Sequence, residues 1–148
     1  MDDVDRAILA VLAKDGRISN ADLADQVGLS PSPCLRRVRR LEETGVIRSY
    51  QALVDPSALA RGLRVFAGVR LIRHAREDVL AFEHAVVELP EVVFCHHITG
   101  NFDYLLHVEV ADLPAYENFH ATKLASVPNI ATVNSYMTMK TLPGQSSH

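Results

Sequence analysis

The chain has 148 residues, of which 48% are hydrophobic and 22% charged, and its formal net charge is −3. This composition is typical of a folded protein rather than a disordered one, and the length suits one ordinary domain or two small ones. No apolar run reaches the roughly 18 residues that span a bilayer, and the acidic start MDDVDR lacks the basic and apolar segments of a signal peptide, so we expect a cytoplasmic protein without a membrane partner.

Two short helices are predicted before residue 30. Apolar side chains recur at helical spacing over residues 3–14, acidic residues occupy the first turn, and Gly16 could end this helix in a left-handed conformation. A second helix is expected over roughly residues 20–27, with Ser19 as its N-cap and Gly28 at its end.

The segment LSPSPCLRRVRRLEETG, residues 29–45, predicts a third helix. Proline is tolerated at the first helical position, where its missing N–H has no partner to lose. Two starts satisfy this rule, because either Ser30 caps with Pro31 following or Ser32 caps with Pro33 following. We favour Ser32.

The third helix is expected to present arginines to solvent. Leu35, Val38 and Leu41 recur on one face and should pack inward. The side chains then expected to point outward are Arg36, Arg37 and Arg40, with Arg39 flanking them. The second and third helices, joined by a turn that contains glycine, form a helix-turn-helix. The basic helix of this motif can enter the major groove of DNA. The alternative is a three-helix bundle with a solvated basic surface.

A linker is predicted after this helix. The sequence VIRSYQALVDP, from Val46 to Pro56, has the branched and aromatic content of a strand. Residues 51–62 are interpreted as a linker that begins in this strand and continues through a short helical turn ended by Gly62.

The remaining chain alternates strands and helices. Strands are predicted at residues 63–73, 91–99, 104–110 and 130–141, with helices at 77–89 and after Asp112. The order βαββαβ is the ferredoxin-like motif, an antiparallel four-stranded sheet with both helices on one face. The predicted α+β chain therefore has a first domain at 1–50, the linker at 51–62, a second domain at 63–142 and a flexible tail at 143–148.

One face of the predicted sheet lacks a cover. A sheet with helices on one side only leaves its other face available, and we expect that face to pack against a second copy. The sequence therefore predicts at least a homodimer.

Catalytic and metal-binding patterns are missing from the sequence. Cys34 and Cys95 show no CxxC or Cys/His ligand spacing, and the adjacent His96 and His97 of a strand would point to opposite faces. The sequence also lacks GxSxG, phosphate-loop and HExxH motifs. We expect two reduced thiols, no metal, no cofactor and no enzyme activity.

Two segments, DGRISNADLADQVGLSPSPCLRRVRRLEETGVI and TGNFDYLLHVEV, closely resemble the Lrp/AsnC family of bacterial and archaeal regulators, the leucine-responsive or feast/famine proteins. The resemblance covers nearly the whole chain, and its motifs occur in both predicted domains in the right order. It implies an N-terminal winged helix-turn-helix domain and a C-terminal ligand-sensing α/β sandwich with the ferredoxin-like topology. It also implies dimers through the second domain and often octamers of four dimers.

DNA contacts are expected from the starts of the second and third helices and from the arginines. Guanidinium groups can clamp phosphates or fork onto guanine edges, and hydroxyls or backbone N–H groups at a helix start can meet a phosphate or a base edge. For Ser19, plain capping is the alternative. The predicted DNA-binding residues are Ser19, Asn20, Ser30, Pro31, Ser32, Pro33, Arg36, Arg37, Arg39 and Arg40.

An effector site is predicted at the segment TGNFDYLL. Gly100 and Asn101 make a tight turn whose backbone N–H groups can converge on a carboxylate, and Asp103 can hold an ammonium group, so the two ends of a free amino acid are matched. The family resemblance places this loop in the effector pocket, adds Leu113 and part of the last strand, and often completes the pocket from a neighbouring dimer. The predicted effector-binding residues are Gly100, Asn101, Phe102, Asp103, Tyr104, Leu113, Ser135, Tyr136, Met137 and Thr138. For Leu113 and Met137, core or interface packing is the alternative.

Together these features predict a sequence-specific transcriptional regulator that binds double-stranded DNA at the nucleoid. An amino acid or related metabolite would modulate its assembly or its DNA binding. One alternative is a small-molecule-sensing module that acts on a protein partner. Another is a nucleoid-associated architectural protein with little sequence preference.

Overall fold

The computed structural model describes residues 1–144, which form two compact units. The first unit contains Met1–Leu53, with residues 143 and 144 grouped with it, and the second contains Val54–Leu142. The predicted tail beyond residue 144 lies outside the described residues. Within the described residues, no helix has the length and apolarity needed to cross a bilayer.

The first unit is built from three helices: α1 (Asp3–Lys14), α2 (Asn20–Gln26) and α3 (Pro31–Glu43). Their apolar sides meet in one small core, and its buried side chains are Ile8, Leu23, Ala24, Cys34, Val38 and Leu41. The predicted helix order is found, but one core position differs. Cys34 occupies the core and Leu35, which we expected there, is 38% exposed.

The end of α1 differs from the prediction at Gly16, which is not in the left-handed region. Asp15 ends the helix in an extended conformation, and its backbone N–H donates to Val11 O at 3.0 Å. The Asp15 carboxylate then accepts the Arg17 N–H at 2.9 Å. An aspartate that bonds the backbone two residues on makes its own turn, so the glycine conformation is not needed.

The prediction that Ser32 caps α3 is wrong. Ser30 is the N-cap with Pro31 at the first helical position, and its side chain makes no capping hydrogen bond. An N-cap side chain bonds the N–H of the second or third helical residue, and Pro33 at the third position removes one of these two donors. Starting two residues earlier supplies a Cys34 N–H to Ser30 O bond of 3.3 Å, and Cys34 itself lies in the core.

The predicted strand between Val46 and Pro56 does not form. Residues 46–55 have no regular structure, and a 3₁₀ turn follows at Pro56–Leu59, which Asp55 caps through the Ser57 N–H at 2.9 Å. That turn ends at Ala60, which has a φ of 54°, and not at Gly62. A strand requires a neighbour to receive its backbone hydrogen bonds, and among the described residues no other strand pairs with this segment.

The second unit has the predicted βαββαβ order. Its elements are β1 (Leu63–Leu71), α4 (Arg76–Val87), β2 (Val92–His97), β3 (Tyr104–Val110), α5 (Leu113–Asn118) and β4 (Ile130–Met137). The four strands pair in the antiparallel order β2-β3-β1-β4. The ferredoxin-like topology is therefore confirmed, with β1, β2 and β4 shorter than predicted.

The core of the second unit lies between the sheet and the helices. Alternate residues of β1 point into it, and Val65, Ala67 and Val69 are fully buried against Phe82 of α4 and Leu106 of β3. This alternation follows from the two-residue period of a strand.

The helical segment that begins with α5 widens before it ends. A π-helical segment, Phe119–Lys123, follows α5 directly, and a 3₁₀ turn, Leu124–Ser126, closes it. Phe119 and Leu124 are both buried although they are five residues apart, a spacing that a regular α-helix does not bring to one face. The wider turn lets both side chains reach the core.

The other face of the sheet, which we call the open face, carries aromatic and titratable side chains. The strand register places Phe66, Leu105, His107 and Phe94 beside one another, with Tyr136 on β4. Phe94 is 55% exposed and Tyr136 is 51% exposed. No helix packs on this face among the described residues.

Candidate functional site

The first candidate site is the surface formed by α2, α3 and the turn between them. Gly28 in this turn has a φ of 69°, and the Leu29 N–H donates to Ala24 O at 2.8 Å. The Asn20 side chain donates to Pro31 O at 2.9 Å, which ties the start of α2 to the start of α3. These bonds fix the relation of the two helices.

Ser19 is a helix cap. Its hydroxyl accepts the Asp22 N–H at 3.1 Å and lies 2.6 Å from Asp22 Oδ2. This is the capping role that was the alternative for Ser19. Asn20 also has an intramolecular role, because its side chain binds Pro31 O. A contact of either residue with DNA would be made in addition to these intramolecular bonds.

Four α3 residues line an exposed stripe along the helix. Ser32, Arg36 and Arg39 are spaced at i, i+4 and i+7, and Leu35 is beside them; all four are exposed. Neither Arg36 nor Arg39 forms an ion pair within residues 1–144. We call these four residues the α3 stripe. The sequence pattern predicts Leu35 in the core, which is wrong; its position beside Arg36 and Arg39 on a helical wheel is the signal that indicates the stripe.

The prediction that the arginines point outward is wrong for Arg37, which is half-buried, and Arg40 is exposed as predicted but pairs with the protein. Arg37 Nη1 lies 2.7 Å from Asp2 Oδ2 and 2.8 Å from Asp5 Oδ1, and Arg40 Nη2 lies 2.7 Å from Asp5 Oδ2. Asp5 is fully buried. Both arginines therefore face the start of α1, because a buried carboxylate requires cationic partners.

The two aspartates also form the capping box of α1. The Asp5 N–H donates to Asp2 Oδ1 at 2.9 Å, and the Asp2 N–H donates to Asp5 Oδ2 at 3.1 Å. The backbone bond from Asp5 and the Arg37 guanidinium lower the pKa of Asp2 to about 2. The bond from Arg37 also lowers the pKa of Asp5, against the opposing effect of burial. Both carboxylates are therefore ionised at neutral pH. We call Asp2, Asp5, Arg37 and Arg40 the α1–α3 ion cluster.

The second candidate site is the loop between β2 and β3. Gly100 has a φ of 110°, and the Ile98 N–H donates to Asp103 O at 3.0 Å across the loop. The Asp103 carboxylate accepts the Leu71 N–H at 2.7 Å and lies 3.0 Å from His74 Nε2. The backbone bond from Leu71 and the contact with His74 lower the pKa of Asp103. Asp103 is thus an anion at neutral pH, held at the end of β1 and partly exposed.

Phe102 and Tyr104 leave this loop in opposite directions. Phe102 lies on Gly68 so closely that a Cβ there would be 2.6 Å from its ring, and it meets Tyr136 edge-on with ring centroids 6.3 Å apart. Tyr104 is buried on the helix side, donates to Glu83 Oε1 at 2.5 Å and stacks on His97. Burial and Glu83 raise the pKa of Tyr104. Tyr104 is therefore a core residue that faces away from Phe102.

The remaining predicted effector residues are likewise divided between the two faces of the sheet. Ser135 bonds the Tyr116 hydroxyl on the helix side, whereas Tyr136 is on the open face. Leu113, at the start of α5, is 58% exposed, and Met137 is 40% exposed. Within one chain these residues do not converge on a single point.

Thr138 lies in a basic cleft of about 310 Å³ that sequence reasoning missed. Its hydroxyl is buried and has no hydrogen-bond partner among the described residues. The cleft also contains Arg61, Lys140 and an Arg64–Glu109 ion pair of 3.1 Å. These residues come from the linker, β1, β3 and the segment after β4, so no local sequence pattern marks them. Among the described residues, no group of three or more His, Cys, Asp or Glu is arranged to hold a metal ion.

Both units match models of known protein families. Residues 64–146 match the family model described as the Lrp/AsnC ligand binding domain, and residues 1–48 match a winged helix-turn-helix DNA-binding model. The chain belongs to the Lrp/AsnC family. Within this family, the leucine-responsive regulatory protein of Escherichia coli strain K12 is 44% identical over 140 residues, which cover 95% of this chain and 85% of that protein.

Solved structures of Lrp/AsnC proteins superpose along almost the whole chain. An AsnC family transcriptional regulator from Agrobacterium tumefaciens has a TM-score of 0.92 and 40% identity, covering 97% of this chain and 94% of that one. A transcriptional regulator from Neisseria meningitidis, solved as a complex with L-Met, has a TM-score of 0.92 and 36% identity, covering 100% of this chain and 96% of that one.

The family assignment confirms the predicted α+β class, the winged helix-turn-helix domain and the ligand-binding domain. This Lrp/AsnC chain is a DNA-binding transcriptional regulator with a domain for a small-molecule effector. The domain boundaries and the roles of individual residues remain predictions.

Proposed function

We propose that this regulator binds its operators through the α3 stripe and that a free amino acid modulates its assembly or its DNA binding. The observation that carries the DNA-binding part is the stripe itself. Two guanidinium groups with no ion-pair partner in residues 1–144 lie there on one exposed side of the second helix of a helix-turn-helix. That helix is the one that enters the major groove in this motif.

The α3 stripe combines the groups that DNA recognition needs. Arg36 and Arg39 can fork onto guanine edges or clamp phosphates, and Leu35 can contact a thymine methyl. The exposed Ser30, Pro31, Ser32 and the half-buried Pro33 form the start of α3, where we propose further contacts to the DNA backbone. Ser19 and Asn20 support the geometry, and we assign Arg37 and Arg40 to the ion cluster.

Substituting the stripe arginines tests the proposal. Arg36→Ala and Arg39→Ala should each weaken operator binding, by about 1–3 kcal/mol where the arginine binds a base, and should lower the salt slope by about 0.9 for each phosphate that is no longer neutralised. Arg6→Ala is the control, because Arg6 is an exposed arginine of the same unit that pairs with Asp3 on α1. Fluorescence anisotropy across a salt series measures both quantities. Unchanged operator affinity in both stripe variants would refute this role.

The same titrations with unrelated competitor DNA separate a sequence-specific regulator from an architectural protein. A specific regulator binds its operator roughly 10³-fold or more tighter than competitor DNA, whereas an architectural protein shows a ratio near one.

The effector proposal starts from the loop between β2 and β3. Asp103 is ionised and can hold an ammonium group, and the turn at Gly100 and Asn101 can direct N–H groups to a carboxylate. Leu113 and Met137 would contact the ligand side chain. The L-Met complex of the Neisseria meningitidis relative supports an amino-acid ligand. Since the predicted residues lie on both faces of one sheet, we propose that a second copy completes the pocket, in a homodimer and in an octamer of four dimers.

Thermal stabilisation by amino acids tests the effector site. A ligand at 100 times its Kd should stabilise the protein by about 2.7 kcal/mol, and Asp103→Asn should abolish the shift while its side-chain oxygen still accepts the Leu71 N–H. Asp78→Asn, in the first turn of α4, removes the same charge away from the loop and should keep the shift. A full shift in Asp103→Asn would contradict the ammonium role.

We further propose that the regulator works in the cytoplasm at the nucleoid, without a cofactor, a metal or a catalytic activity. Its proposed partners are double-stranded DNA, copies of itself and the amino acid, with no membrane partner. The domain assignment that goes with this proposal is a DNA-binding domain at 1–50, a linker at 51–62, an effector-binding and oligomerisation domain at 63–142 and a flexible tail at 143–148. The boundary between the two compact units, Met1–Leu53 and Val54–Leu142, falls within the proposed linker.

A further inference from the structure

Asp5 lies under the DNA-facing helix with both carboxylate oxygens in use. Its Oδ1 accepts from Arg37 at 2.8 Å, and its Oδ2 accepts from Arg40 at 2.7 Å and from the Asp2 N–H at 3.1 Å. Asp5 is fully buried, and Arg37 is anchored a second time by Asp2 at 2.7 Å. The start of α1 is thus bonded directly to two successive turns of α3.

These bonds limit where the two guanidinium groups can go. A buried carboxylate without a cationic partner is energetically unfavourable. Turning Arg37 and Arg40 together toward a phosphate would leave the buried Asp5 carboxylate in that state. Arg40 still has 58% of its side chain exposed, whereas Arg37 has 28%. The positive charge of α3 is therefore divided between a pair directed at the protein, Arg37 and Arg40, and a pair directed outward, Arg36 and Arg39.

We propose that Asp5 is a positioning residue of the DNA interface. By binding Arg37 and Arg40, it fixes the rotation of α3 about its own axis, so that the α3 stripe faces the groove. It also withholds two guanidinium groups from the phosphates. This inference rests on the proposed role of the α3 stripe. Its consequence is selectivity, because fewer phosphate contacts reduce the sequence-independent part of the binding free energy.

Arg40→Gln gives the direct test, since Asp5 keeps its bonds to Arg37 and to the Asp2 backbone. If Arg40 is withheld from DNA, the slope of log K against log salt should equal that of the wild type. A slope smaller by about 0.9 would show that Arg40 neutralises a phosphate in the complex, and would overturn the proposal.

Asp5→Asn tests whether the carboxylate of Asp5 keeps the paired arginines away from DNA phosphates. Once the carboxylate charge is gone, Arg40 is free to reach a phosphate, whereas Arg37 keeps its bond to Asp2. The affinity for competitor DNA at low salt should rise, its salt slope should steepen by about 0.9, and the ratio of operator to competitor affinity should fall. Asp3→Asn is the matched control, because it removes the same charge from the same helix but Asp3 pairs with Arg6. Equal slopes in Asp5→Asn and Asp3→Asn would overturn the proposal.

Two checks keep these outcomes interpretable. Circular dichroism confirms that each variant is folded at the binding temperature, and if Asp5→Asn is unfolded the Arg40→Gln slope alone decides. The triple variant Asp5→Asn/Arg37→Gln/Arg40→Gln should return the slope to the wild-type value. Failure of Arg36→Ala and Arg39→Ala to weaken operator binding would refute the proposed function, whereas a reduced slope in Arg40→Gln would refute only the role of Asp5.

Discussion

His107 lies on the open face, where some neighbouring groups raise its pKa and others lower it. Its Nε2 lies 3.1 Å from Glu109 Oε1, and the same oxygen lies 3.1 Å from Arg64. The rings of Phe66 and Phe94 flank it, with centroids 5.4 and 5.8 Å away. Burial lowers the pKa of His107, Arg64 lowers it further and His96 adds a smaller lowering effect, while Glu109 raises it.

This lowered pKa predicts a loss of stability in mild acid. A histidine whose pKa is below about 6.5 when folded binds more protons in the unfolded chain, so the free energy of unfolding falls as the pH decreases through 6.5 toward the folded pKa. Urea unfolding at pH 7.5 and pH 5.5 measures this change. His107→Gln should reduce the difference. An equal difference in the wild type and His107→Gln would refute the assignment.

At the scale of single residues, the sequence predicted which side chains are charged but not which of them are free. The four arginines of α3 are close together in the sequence: Arg36, Arg37, Arg39 and Arg40. Helical periodicity predicts the direction of each side chain but not the residue that it contacts. The partner, Asp5, is more than thirty residues away in sequence and was classed only as a helix-start acid. Buried ion pairs of this kind depend on how α1 and α3 pack, which local patterns do not contain.

Side-chain caps begin α1, α2 and α5, and they yield a prediction for α2. Ser19→Ala removes the hydroxyl that accepts the Asp22 N–H and should lower the free energy of unfolding of the first unit by about 1 kcal/mol. Helical circular dichroism during urea unfolding measures the change. No measurable loss would mean that the cap does not contribute.

Ser30→Ala is the natural comparison, because Ser30 is also an N-cap but makes no side-chain capping bond. Its stability should stay within about 0.5 kcal/mol of the wild type. A fall in operator affinity in this stable variant would identify a direct contact of Ser30 with DNA.

At the scale of elements, periodicity predicted the α-helices and strands that the described residues form, and one further strand that does not form. Residues 46–55 have a strand-like composition, yet strand formation requires a second segment to bond, and composition cannot supply one. The start of α3 was misplaced for a related reason, since both serine-proline steps satisfy the local rule and only the packing of Cys34 distinguishes them. The effector residues were found as a loop, but their division between two faces follows from the strand register.

The open face determines how the whole molecule is expected to assemble. Phe94 and Tyr136 expose apolar rings on it, and a second copy would bury them. Phe94→Glu places a charge among these rings and should shift the protein toward monomers, because burying an unpaired carboxylate is unfavourable. Multi-angle light scattering measures the mass.

Val87→Glu is the control for the assembly test. Val87 is 58% exposed at the end of α4, on the helix side of the sheet, and the same charge there should leave the mass unchanged. A Phe94→Glu protein with the wild-type mass would move the expected interface away from the open face.

The π-helical segment Phe119–Lys123 also has an evolutionary consequence. A wide turn of this kind contains one residue more than an ordinary turn needs, and here exposed side chains such as Ala121 separate the two buried anchors, Phe119 and Leu124. Loss of one codon within the segment would leave the anchors at a four-residue interval and convert the turn to regular α-helix without moving either from the core. Relatives that differ by a single-residue gap at this point can therefore share an unchanged sheet, and an alignment that places the gap elsewhere would shift every later residue out of register.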